Sequence, residues 1–449
     1  MKKSVIMMTG IMLALIPALA FAKGTRQPSS KKVELRVLNY LDTTGANAAD
    51  EINMVWASFE RANPNIRIIR EDPSGEAFHQ RTGSYAEAGQ LPDVLYAWPF
   101  GRSAPLHTRR LLKDLDPLVR RDGLASLYSP VALDPSHQVA GYLGIFPQSM
   151  TATSVLYVNL EVLGECGLQP ARTYSELVAQ VPILRARGYE TVLMANRETW
   201  VMRSCLLSLV AGRFCGEGWE QRILSGEARF TDSDFVAALN FIKAMYDDGV
   251  LRRTSISASY GDAVGQFAAN KGAYYIEGDW GVAAFVTNAS TGQSLISPDR
   301  QRNIQITVFP DIDRPGVKFN KSSSVVTGTG WGISAAIPAG SPKEEAAWKL
   351  VKWLVGREAL AWRIQAGGVL APSRTDIDMA GLRLQPMQAA IGNLGREYDR
   401  GTVVIDAVFD GPVYTPLNDG LQAIGMGRQT PQQVAQIVQA AFDAWKARQ

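Results

Sequence analysis

The stretch that most constrains this chain is residues 139–177, VAGYLGIFPQSMTATSVLYVNLEVLGECGLQPARTYSEL. It opens as an extended run over residues 140–146, with glycines at 141 and 144, and then meets Pro147. Proline fixes φ and has no amide donor, so a strand is expected to end or to reach a sheet edge there. Past Gln148 and Ser149, the β-branched and aromatic residues of 153–158 read as a second strand. Asn159-Leu160-Glu161 then opens a short helix that stops at Gly164 or Gly167, and Thr173 to Glu176 has capping-box spacing for another. A strand, a proline-marked joint, then a new strand and helix is how a chain leaves one globular lobe and enters another. A length of 449 residues agrees with two lobes, because single cores rarely grow past ~250–300 residues.

The flanks fill in an α/β pattern. Residues 33–41 read as a strand, 48–62 as a helix with Ile52, Val55, Trp56 and Phe59 on one face, and 66–70 as a second strand. Strand, helix, strand implies a parallel pair with a crossover helix. Residues 93–97 are a third strand, followed by Trp98-Pro99-Phe100-Gly101. Beyond the joint, 191–196 and 271–276 read as strands, and 199–210, 234–247 and 261–269 as helices. Residues 304–309 are extended and stopped by Pro310, which gives a second crossing between lobes. Residues 325–337 return as a Gly-rich strand, and 367–373 form a third crossing. The expected division is 33–146 plus 311–368 for one lobe and 147–310 plus 369–449 for the other. In open α/β sheets ligands sit outside the carboxyl ends of the strands, so a cleft between the lobes is where a ligand belongs.

The first 22 residues have the layout of a secretory signal: Lys2-Lys3, an apolar run broken by Pro17, then Ala20-Phe21-Ala22 as an A-x-A cleavage site. Residues 23–32 read as a disordered polar leader. No cysteine lies near the cleavage point, and no later run is long and apolar enough to span a bilayer. An exported, periplasmic protein is expected. Its net charge of +3 and its scattered arginine pairs form no basic stripe, which excludes nucleic acid as a partner. Of three cysteines, Cys205 and Cys215 are close enough for a loop disulfide; buried free thiols are the alternative.

Little in the chain looks catalytic. There is no G-x-S-x-G, no P-loop and no C-x-x-C, and His79, His107 and His137 stand apart, as surface histidines do. No cofactor or metal is expected. The informative residues are tryptophans. Trp56, Trp348, Trp353, Trp362 and Trp445 fit helical apolar faces, whereas Trp98, Trp200, Trp280 and Trp331 stand beside Gly, Pro or polar residues at strand ends or a helix start. An indole there offers a flat apolar face and an N–H donor, which suits the C–H face and the hydroxyl rim of a sugar. Carboxylates, amides and a guanidinium near such rings would take the hydroxyls: Asp42, Gln148, Asp279 and Arg374. Asp42 equally suits a turn or N-cap role, and Asp279, less readily, the capping of the turn that follows it.

In order along the chain, residues 33–42, 62–71, 91–98, 144–159, 168–177, 272–281 and 327–338 together resemble the extracellular solute-binding proteins, and more narrowly the maltose-binding type that serves ABC importers. The resemblance covers nearly the whole chain after the signal. It implies a two-lobed periplasmic-binding-protein fold with strand hinges, a monomer, a carbohydrate ligand and a membrane permease as partner. It places the loops of Tyr40 and Asp42, Trp98, Gln148, Trp280 and Trp331 in the cleft, with Trp200 and Arg374 matching less closely. Loop lengths and the polar residues around the aromatics depart from the maltose-binding pattern, so the identity of the sugar is left open. The rivals are another small polar solute, or a secreted glycan-active enzyme using Asp42 and Asp279 as its carboxylate pair.

Overall fold

The computed structural model describes residues 32–45, 47–134, 141–288, 291–368 and 371–448. The first 31 residues, read above as a signal and leader, together with His137 and part of the expected third crossing, lie outside the described residues.

Strand β1 (Val33–Leu38) pairs in parallel with β2 (Ile66–Glu71) and with β3 (Val94–Ala97), as the strand–helix–strand pattern requires. The connecting helical run buries Val55, Trp56 and Phe59 against them. Three more strands complete this sheet: β4 (Ile145–Ala152), β9 (Ser322–Ile333) and β10 (Arg400–Val403). Its order is β10-β9-β3-β1-β2, with β4 antiparallel to β9 on the other side. The second sheet has the order β6 (Glu190–Leu193), β7 (Gly272–Glu277), β5 (Val155–Asn159), β8 (Ile304–Thr307). Each sheet has its own apolar core. That of the second is larger and draws in helices from far down the chain, including Leu360, Phe409, Leu417 and Phe442.

The joint differs from the expected one. Residues 141–144 are not a strand, and β4 runs through Pro147 instead of ending before it. Two features permit this: the register against β9 shifts on either side of Ser149, and β4 forms an edge where only an irregular segment follows it, through Ser373 N to Gln148 O (3.0 Å) and Met150 N to Ala371 O (2.8 Å). Proline is tolerated at bulges and edges. Opposite it, a Cβ on Gly330 would run into the Phe146 carbonyl, so the glycine is what lets the two backbones close up.

Beyond Ala152 the chain enters the second sheet in three residues. Alongside it, β9 begins with Ser322-Ser323-Ser324, all fully buried. Thr153 N donates to Ser324 O (2.7 Å), the Thr153 and Ser324 hydroxyls bond each other (2.7 Å), and Ser323 Oγ donates to Ser154 O (2.7 Å). Arg213, on helix Ser208–Cys215, is fully buried and fastens the return path: it donates to the carbonyls of Phe309 (2.9 Å) and Pro310 (2.6 Å) and to Ser322 Oγ (3.1 Å). All three thiols are free and buried, so the Cys205–Cys215 pairing is not made.

Candidate functional site

The carboxyl ends of β1, β3, β6 and β7 carry most of the aromatic candidates. After β1 comes Tyr40, and after β3 comes Trp98, with ring centroids 5.0 Å apart and edge to face. Tyr96 (4.9 Å) and Phe78 (5.5 Å) back the indole. These rings form one half-exposed aromatic patch on the first sheet.

On the second sheet, Trp200 leads into helix Met202–Leu207, and Trp280 follows β7, their rings 5.9 Å apart. Trp280 folds back over Gly278, where any side chain would strike the indole. Two buried carboxyls flank it. Glu277 accepts from Gly278 N (2.9 Å) and Tyr275 OH (3.2 Å), and Asp279 Oδ2 accepts from Ala152 N (2.9 Å). Burial pushes both up to about 7, against the hydrogen bonds they accept. Burial raises the hydroxyl pKa values of Tyr96, Tyr157 and Tyr398, and Asp279 lies close enough to all three to add to the effect. It therefore stands where the two sheets meet.

The remaining candidates are placed differently. Trp331 is 1% exposed, packs edge to face on Trp56 (5.7 Å) and Tyr96 (5.2 Å), and spends its N–H on Gln148 Oε1 (2.9 Å). The amide of Gln148 also takes Arg363 Nη1 (3.0 Å) and is itself buried. This pair knits the first core and presents no face to a ligand, because β9 continues past Trp331 to Ile333 and the indole is inside a strand, not at its end. Asp42 is an exposed turn residue, bonded to Thr44 N (2.9 Å) and Thr44 Oγ1 (2.6 Å). Arg374 is occupied by Asp376 (2.9 Å from Nη2), which it holds at about 2. His107 is fully buried, not a surface residue. Among the described residues no group of His, Cys, Asp and Glu could hold a metal ion.

A charged cluster that sequence reasoning missed joins the first-sheet patch. Gly101 brings the loop after Trp98 so near helix Ile405–Val408 that a Cβ would lie 2.5 Å from the Val408 carbonyl oxygen. This lets Arg102 reach Asp406 Oδ2 (2.5 Å), which also takes Arg203 Nη2 (3.1 Å), while Ser204 Oγ donates to Oδ1 (2.8 Å). Burial works to raise the Asp406 pKa, but Arg203 and Arg102 overcome it and hold the carboxyl well below the usual range. Arg102 also bonds the His79 imidazole, which burial and then the guanidinium lower to about 3, so His79 is neutral.

No curated protein sequence matches the chain. Solved structures do. One described as a chitin oligosaccharide binding protein superposes with a TM-score of 0.80 at 16% identity, covering 93% of this chain and 100% of its own. One from work on xylan utilization by the thermophilic bacterium Caldanaerobius polysaccharolyticus gives 0.79 at 21% identity, covering 91% and 99%. The maltose/maltodextrin-binding domain from Bdellovibrio bacteriovorus, bound to maltotriose, gives 0.68 at 19% identity, covering 93% and 100%. These likenesses establish the two-lobed fold. A family model described as bacterial extracellular solute-binding protein matches residues 55–381, well over half of the sequence and most of both sheets. The chain belongs to the bacterial extracellular solute-binding protein family.

Proposed function

We propose that this chain captures a sugar or oligosaccharide between its lobes and delivers it to the membrane permease of an ABC importer. One observation carries the ligand class: aromatic rings stand after strands of both sheets, Tyr40 and Trp98 on one, Trp200 and Trp280 on the other, with the buried carboxyl of Asp279 where the sheets meet. Rings take the apolar faces of pyranosides, and a buried acceptor takes a hydroxyl. The solved neighbours that bind chitin oligosaccharide and maltotriose support the same class. No bond is made or broken in this reading; polar groups of both lobes favour the closed form once ligand is present.

The protein is read as an exported monomer, its signal cleaved after Ala22, working in the periplasm without cofactor. Among the described residues no helix is long and apolar enough to cross a membrane. The test is a thermal-shift screen of the mature chain against mono- and oligosaccharides. Ligand at 100 times its Kd adds ~2.7 kcal/mol of stability, so one sugar class should raise the midpoint and change tryptophan fluorescence with it. A flat response across the panel would remove the sugar and leave a different solute.

A further inference from the structure

The Arg102–Asp406–Arg203 cluster carries more positive charge than its surroundings balance. Two guanidiniums share one carboxylate, and the side chains are 14%, 1% and 10% exposed for Arg102, Arg203 and Asp406. The other groups in contact with them are neutral or aromatic: Ser204, Asn418 (Oδ1 to Arg203 Nη1, 2.8 Å), His79, and Tyr414, whose ring lies 5.7 Å from the Arg102 guanidinium carbon and 4.4 Å from that of Arg203. Glu76 also acts on Arg102, from an exposed position at the rim. The buried Nε–H groups of both arginines find no acceptor among the described residues. A buried cation with spare donors is costly unless an anion meets it.

The cluster is also part of the aromatic site. Arg102 lies 6.0 Å from the Trp98 ring, and Arg203 follows Trp200 by three residues on the same helical run. A ligand stacked on Trp98 brings its substituents towards Arg102, the more exposed of the two, with Arg203 behind it on the shared carboxylate. Resting on the sugar-binding reading above, we propose that the ligand is an acidic saccharide whose anionic substituent is taken by Arg102 and Arg203 beside Trp98. The planar fork of a guanidinium matches a carboxylate, so a uronic acid is the first choice; a phosphoryl substituent offers the same charge.

The test is calorimetric titration with paired probes. Di- and trigalacturonate are compared with the same compounds reduced to primary alcohols at each carboxylate, and glucose 6-phosphate is compared with glucose. A charged hydrogen-bonded contact corresponds to roughly 10- to 100-fold in affinity, so the acid member should bind tighter by about that factor. Its Kd should weaken between about 50 and about 500 mM NaCl, while that of the neutral member holds. Arg102→Gln should weaken the acid ~10-fold more than its neutral partner. Which acidic probe wins identifies the anion as carboxylate or phosphoryl. Neutral members that bind as tightly as acidic ones would overturn the proposal and leave the sugar reading intact; silence from both series would overturn the proposal, and the sugar reading falls with it only where the wider saccharide panel is flat as well. The wild-type pair comparison stands even where the variant fails to fold.

Discussion

Trp280 owes its orientation to the residue two before it. Its ring lies where a side chain at 278 would stand, so Gly278→Ala should swing the indole aside and weaken sugar binding about as much as Trp280→Ala, by ~10-fold or more. Both variants should keep a midpoint near that of the parent, because Trp280 is only half-buried at the core's margin; a large loss of stability would show the ring to be packing. Glu277 and Asp279 make a second prediction. Both are raised to about 7 from 4.5 and 3.8, so between about pH 4 and pH 7 the folded state holds protons that the unfolded chain has released. Stability therefore falls as pH rises through that window, by up to ~1.4 kcal/mol per unit for each group. Glu277→Gln with Asp279→Asn should flatten the midpoint-against-pH profile there, and an unchanged slope would sink the assignment. The placement of Trp98 and Trp280 just after strands was legible because a ring after a strand, next to glycine or proline, is a local pattern. Trp331 misled because β9 is flanked by β3 on one side and β4 on the other, which buries the indole although glycines stand on both sides of it. Arg102, Arg203 and Asp406 were illegible: they are far apart in sequence, and a lone arginine reads as a solvated surface residue until the fold buries it.

Among the elements, the β-α-β unit and the capped helices were visible in advance. Thr173 does cap its helix, accepting from Glu176 N (3.2 Å), and the Glu176 carboxylate reaches back to Arg172 N (2.8 Å). The joint was only half visible. Proline at an edge strand beside a bulge looks the same in sequence as proline at a strand end, and the difference lies in Gly330, nearly two hundred residues away. The helix bearing Arg213 has a joining role that no periodicity announces. Removing the guanidinium strands buried carbonyls at Phe309 and Pro310 together, each costing about 1–3 kcal/mol. Arg213→Met should accordingly lower stability by about 3 kcal/mol or more in denaturant unfolding, whereas Arg172→Met, on an exposed ion pair, should change it by less than ~1 kcal/mol.

For the whole molecule, two cores joined by short crossings make opening and closing the natural motion. Small-angle scattering should show a smaller radius of gyration with the identified sugar than without it, and identical profiles would argue for a cleft that stays shut. The place that must yield is the serine run at the start of β9. Where a joint is filled by interlocking aliphatic side chains, a change of twist forces them past one another. Here the contacts between Ser323, Ser324, Thr153 and Ser154 are made largely by hydroxyls, and a hydroxyl can swing to a neighbouring acceptor by rotating one bond. Such a seam suits a bearing: it can hold the lobes in register while a small change in the angle between them costs little more than the turning of a few hydroxyls.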